Sequence, residues 1–115
     1  MNNTEKGKIG EDIATEFLKR KGAIIKERNF RGKFGEIDII AFFNTTEIVF
    51  IEVKSRSSCK YGFPAEAVDK IKQNKIRKTA QEYIIRNNLN RVSIRFDVIE
   101  IYMNDKKIRH IVNAF

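Results

Sequence analysis

The chain reads as an α/β protein with its elements in the order α-β-β-β-α-β-β. Three observations give that reading. An apolar stripe at helical spacing runs through the first 21 residues. Two runs rich in Ile, Val and Phe, 36–43 and 47–54, flank an Asn-Thr-Thr turn. A lysine-rich stretch with helical apolar spacing then precedes two further β-rich runs.

The stripe Ile9, Gly10, Ile13, Ala14, Phe17 and Leu18 predicts a helix over 5–21, with Thr4 as N-cap and Gly22 as its stop. A short strand over 23–29 follows. Arg31-Gly32-Lys33-Phe34-Gly35, basic and carrying two glycines, reads as a mobile loop. The strands 36–43 and 47–54 form a hairpin about the turn 44–46. After a polar loop, Pro64 suits the first turn of a helix running to about residue 88, with Val68, Ile71, Ile76, Ala80, Tyr83 and Ile84 inward. Strands over 92–102 and 107–113 lie on either side of the Asn104-Asp105 turn.

The 115 residues, 42% apolar and 33% charged, suit one domain over 1–115 and exclude a disordered chain. No apolar run reaches the roughly 18 residues of a membrane span, so no membrane partner is expected. The polar start lacks a signal-peptide stretch and the single Cys59 has no disulfide partner, which makes the cytoplasm the expected compartment. Lys and Arg number 23 against 15 Asp and Glu, a net +8, and a small basic domain of this kind suits a polyanion, with nucleic acid first among them.

The hairpin carries the chemistry. A three-residue turn centred on Thr45 pairs positions whose numbers sum to 90, placing Asp38 opposite Glu52 and Glu36 opposite Lys54. Asp38, Glu52 and Lys54 then project from one face, because strand side chains alternate. Two opposed carboxylates in an apolar hairpin repel, and a divalent cation with its preference for hard oxygen ligands reverses that. Lys54 beside them can orient a water or neutralise charge on a phosphate. Cross-strand ion pairs on a solvated face are the competing reading. The flanking Ile37, Ile39, Ile40, Val49, Phe50, Ile51 and Val53 favour a buried sheet with a polar cleft instead. His110 reads as a packing or surface residue. Cys59 has no base nearby in sequence, no Ser-His-Asp set can be assembled, and the glycine loop lacks the ending of a P-loop.

Gly35-Glu36-Ile37-Asp38-Ile39-Ile40 followed by Phe50-Ile51-Glu52-Val53-Lys54-Ser55-Arg56 resembles the Asp…Glu-x-Lys signature of the restriction-endonuclease-like nucleases. With Gly7-Lys8-Ile9-Gly10-Glu11-Asp12-Ile13-Ala14, Ala67-Val68-Asp69-Lys70 and the stretch to Tyr83, nearly the whole chain resembles the YraN-like bacterial family, itself similar to archaeal Holliday-junction resolvases. The resemblance implies a mixed central sheet flanked by helices. It implies Asp38 and Glu52 as ligands of Mg2+ or Mn2+, Lys54 as the catalytic lysine, and Glu11 as a further acidic group near the metal. From its position alone Glu11, on the flank of the helical stripe, can reach a sheet edge or face water. Gln73 resembles a helix-borne glutamine of some of these nucleases and otherwise reads as a solvated helix residue. Junction-cutting relatives work as dimers, so a homodimer is one expectation.

The expected function is that of a Mg2+-dependent endonuclease hydrolysing DNA, with branched and junction structures as candidate substrates. The alternative is a non-catalytic nucleic-acid-binding module on the same fold. Arg31 and Lys33 in the glycine loop, Arg56 past the signature, and Lys72, Gln73 and Lys75 on the second helix are the candidate nucleic-acid contacts, with Arg28, Lys70, Arg77 and Lys78 nearby.

Overall fold

A computed structural model describes residues 2–60, 62 and 68–115. The elements are α1 (Asn3–Arg20), β1 (Ile24–Arg31), β2 (Glu36–Asn44), β3 (Glu47–Arg56), α2 (Lys70–Arg86), β4 (Ser93–Tyr102) and β5 (Lys107–Ile111), in the order read from sequence. The five strands form one mixed sheet in the order β1-β2-β3-β4-β5. Every neighbouring pair is antiparallel except β3 and β4, which run parallel with α2 as the crossover between them.

Each helix covers one face. Ala14 and Leu18 of α1 pack with Ile39, Ala41, Val49, Ile51, Ile99 and Ile101. Ile76, Ala80 and Tyr83 of α2 pack with Phe30, Ile37, Ile40, Ile48, Phe50 and Val98. β3 lies in the middle, so its side chains are buried on both faces, which accounts for its unbroken apolar run. Among the described residues no helix is long and apolar enough to cross a membrane.

Several boundaries shift. The N-cap of α1 is Asn2, whose side chain accepts from the Glu5 N–H, rather than Thr4. The helix stops at Gly22 as expected, with Ala23 N–H donating to Leu18 O and Gly22 N–H to Lys19 O. Pro64 lies outside the described residues, but Val68 and Asp69 are not helical. α2 begins instead at Lys70, because the Asp69 carboxylate caps the Lys72 N–H at 2.8 Å. Ile71, expected inside, falls in the first turn on the outer side and is 72% exposed, while Thr79 takes a fully buried place. The segment 32–35, expected as a loop, closes as a hydrogen-bonded turn. Gly32 N–H donates to Gly35 O, and Lys33 N–H donates to Glu82 of α2 at 2.8 Å.

Candidate active site

The hairpin register follows the expected sum: Ile39 pairs with Ile51, Ile40 with Phe50, Ala41 with Val49 and Phe42 with Ile48. It arises differently, from a two-residue turn at Thr45-Thr46 that pairs Asn44 with Glu47, plus a bulge between Phe42 and Asn44 that restores the register. The ladder then ends at Ile39 and Ile51. Beyond that point β2 continues only beside β1, down to Arg31↔Glu36, and β3 continues only beside β4, down to Arg56↔Tyr102. Glu36 therefore meets Arg31, at 3.0 Å, and not Lys54.

The two strands fork, and the site occupies the fork. Asp38 is the first β2 residue past the last rung. Its Oδ2 accepts from the Val53 N–H at 2.8 Å, so the carboxylate replaces a lost ladder bond between the strands. Asn29, opposite Asp38 by the β1–β2 register, adopts φ 54°. That left-handed residue breaks the alternation there: Phe30 and Ile37 face α2 while Ile39 faces α1. On β3 the parity of Ile48 and Phe50 places Glu52 and Lys54 on the α2 side.

Glu52 is 7% exposed, and its Oε2 is buried without a hydrogen-bond partner. Lys72 Nζ of α2 lies 3.5 Å from that oxygen, within ion-pair reach but without hydrogen-bond geometry. Asp38 is pushed up to about 8, by burial first and then by a shared hydrogen bond with the Glu52 carboxyl and the charge of that group; the Val53 N–H and Lys72 pull the other way. From the opposite side α1 brings Glu11, 8% exposed. Arg28 Nε and Asn29 Nδ2 both donate to its Oε1, each at 3.0 Å. Burial raises the Glu11 carboxyl, Arg28 opposes that, and the charge of Asp38 raises it further, which places the two acids within electrostatic reach.

Other buried acids in this fold are fully compensated. Asp97, 0% exposed, binds Arg95 Nη2 at 2.9 Å, His110 Nε2 at 2.7 Å and the Asn113 N–H at 3.0 Å. His110 is thus a packing residue, and Lys21 Nζ at 3.0 Å from its Nδ1 can only donate, which assigns the proton on Nε2 to the Asp97 side. Glu100, also 0% exposed, takes Arg56, Arg109 and the Tyr102 hydroxyl, each at 2.9 Å. Asp38 and Glu52 face each other with one peripheral lysine.

The structure thus brings together Glu11, Asp38, Glu52 and Lys72, and sets Lys54 on the same strand face as Glu52. It disperses other candidates. Arg56 is drawn onto Glu100, Gln73 Nε2 donates to Val68 O at 3.0 Å, and Arg31 pairs with Glu36. Lys33 and Lys75 share a groove at the 32–35 turn. Arg28, grouped by sequence with the basic loop, instead clamps Glu11 and Asp12. Asn29 was not singled out from sequence. Its residue type, common at left-handed positions, is the only local signal it carries.

The site is thus a fork between β2 and β3 of a mixed α/β sheet, holding the acidic pair Asp38 and Glu52 beside Lys72. The chain belongs to the family described as uncharacterised protein family UPF0102, whose model matches residues 10–101, and the YraN-like resemblance is thereby borne out. A UPF0102 protein of Clostridioides difficile is 56% identical over the full length of both chains. One from Caldanaerobacter subterraneus subsp. tengcongensis is 48% identical, covering 100% of this chain and 98% of the other. Among solved structures, Pyrococcus furiosus SfsA in complex with Ca2+ aligns over 95% of this chain at 15% identity and TM-score 0.38, and this chain spans 62% of that one.

Proposed function

We propose that this chain is a metal-dependent nuclease that hydrolyses DNA phosphodiesters, with Asp38 and Glu52 holding Mg2+ or Mn2+ and Lys54 acting on the phosphate. One observation carries the reading. The fold neutralises Asp97 and Glu100 with closely hydrogen-bonded cations, yet gives the facing Asp38 and Glu52 only Lys72 among the described residues, 3.5 Å from a buried Glu52 oxygen that has no hydrogen bond. An arrangement that opposes stability is expected where function requires it.

The donor set fits the ion. Among the described residues no group of three or more His, Cys, Asp or Glu is placed to hold a metal. Mg2+ is commonly held by one or two carboxylates, with water and substrate phosphate completing its shell, so a two-carboxylate site suits it better than Zn2+ or Ca2+. A cation held there supplies the positive charge that a phosphate needs to approach two acids.

The chain's own groups do the rest. The Val53 N–H fixes Asp38 in the fork, and Arg28 and Asn29 fix Glu11 behind it, so the acidic potential is built before any ligand arrives. Lys72 balances Glu52 at the α2 side. Lys54, one strand repeat past Glu52, presents its ammonium to a phosphate oxygen or to the attacking water. Among the described residues its side chain has no hydrogen bond or ion pair.

The test is incubation with linear, flapped and four-way DNA in Mg2+ or Mn2+, with a chelator control. Metal-dependent cleavage lost in Lys54→Ala supports the reading. Salt-sensitive binding without cleavage by any substrate and metal would leave only the non-catalytic module.

A further inference from the structure

The 32–35 turn carries Phe34, which is 50% exposed. A single exposed aromatic needs no explanation, but this one stands as a ridge between two grooves. One, of about 440 Å3, is lined by Lys33, Phe34, Ile71, Asn74, Lys75 and Lys78. The other, of about 490 Å3, is lined by Lys33, Phe34, Lys78, Glu82, Ile85 and Arg86. Lys78 Nζ sits 5.2 Å from the ring centroid of Phe34. The neighbouring acid, Glu82, is already engaged by Arg86 and by the Lys33 N–H. The turn lies close against α2: a Cβ on Gly32 would come within 2.6 Å of Glu82 Oε1, and the Lys33 N–H donates to the same carboxylate.

We propose that Phe34 is a stacking platform for an unpaired nucleic-acid base, which would direct the fork site to strands that are separated beside the cleaved bond. This rests on the nuclease reading above. An apolar protein partner would have to strip water from four cations around one ring, whereas a polynucleotide offers phosphates to the cations and a π-face to the ring. The groove also leads to the fork. Ile71, Asn74, Lys75 and Lys78 share one side of α2, and Lys72, a turn before Lys75, reaches Glu52. The six helical steps from Lys72 to Lys78 rise about 9 Å, which is roughly two to three stacked nucleotides. A phosphate at Glu52 and a base on Phe34 therefore belong to the same short stretch of one strand. Arg77, by contrast, lies over Phe96 and Phe115, at 5.0 and 5.3 Å, on another side of α2, so that cation is turned away from the ridge.

The experiment measures binding, not cleavage. The probes are an oligo(dT) strand, a blunt duplex, and that duplex with a single-stranded flap, each titrated into wild type, Phe34→Ala and Phe34→Trp at low salt. The chain has no tryptophan, so Phe34→Trp reports from the ridge itself. Phe34→Ala should weaken binding of oligo(dT) and of the flap by roughly ten-fold and leave the duplex unchanged. Phe34→Trp should retain the affinity, and oligo(dT) should quench its emission. Equal affinity of Phe34→Ala and wild type for all three probes overturns the platform while leaving the nuclease reading intact. Failure of the wild type to bind any probe overturns both. A change in the sedimentation of free Phe34→Ala relative to wild type would make the ridge an interface between copies and overturn the platform.

Discussion

Replacing Asp38 by asparagine should stabilise the metal-free protein, and more so as pH rises. The Asp38 carboxyl moves from 3.8 to about 8 because it is buried against Glu52. Below pH about 4 folded and unfolded chains both hold its proton, and the group contributes no pH dependence. From there to about pH 8 the folded chain retains a proton that the unfolded chain has released, so stability falls with rising pH by up to about 1.4 kcal/mol per unit. At pH 7 the penalty is at most about 4 kcal/mol; since the proton is shared with Glu52, which persists in the variant, we expect a net gain of about 2 kcal/mol. Asparagine still accepts from the Val53 N–H and stays neutral, so it keeps the bond and escapes the penalty. Thermal denaturation at pH 5 and pH 8 in chelator is the assay. The variant should melt some 5–10 °C above wild type at pH 8, with a smaller difference at pH 5. Equal melting at both values, or loss of stability in the variant, would refute the claim that the pair is held at a cost.

Two further substitutions separate scaffold from site. Asp97→Ala leaves His110 and Arg95 facing an empty acceptor position in a buried cluster, and should cost about 3–5 kcal/mol in chemical denaturation, opposite in sign to Asp38→Asn. Gly10→Ala drives a methyl to 1.8 Å from Ser55 Oγ where α1 crosses β3, so it should cost about 1–3 kcal/mol. Adding Ser55→Ala should recover most of that loss, because the next contact is Ser55 Cβ at 3.2 Å; a double mutant as unstable as the single would place the strain elsewhere.

Much of this was legible from the chain. The Asn-Thr-Thr turn and the alternation of Ile, Phe and Val were enough for the register that brings Asp38 and Glu52 together, although the bulge at Phe43 that sets it has no sequence mark. The fork was not legible. It depends on Asn29 adopting φ 54° and on Asp38 taking the Val53 N–H, and both are products of tertiary placement. For the same reason Glu11 looked like a flank residue: only a gap between β2 and β3 lets it approach Asp38. The cations misled most. Arg28, Arg56 and Arg77 look equivalent in sequence to Lys72 and Lys75, yet one clamps Glu11, one is drawn onto Glu100 and one caps two phenylalanines. Local pattern cannot assign long-range partners among 23 cations. The described start of α2 at Lys70 is set by the Asp69 cap, which competes in sequence with Pro64 as a helix opener.

The central claim is that the acidic pair in the fork exists to bind a divalent cation. Calorimetric titration of Mn2+ into wild type and into Asp38→Asn tests it directly, since the variant is expected to be the more stable fold and loss of binding cannot then be ascribed to unfolding. Wild type should bind with release of a proton near pH 7, and the variant should show no binding under the same conditions. Equal Mn2+ affinity in the two proteins, or none in the wild type, would contradict the account.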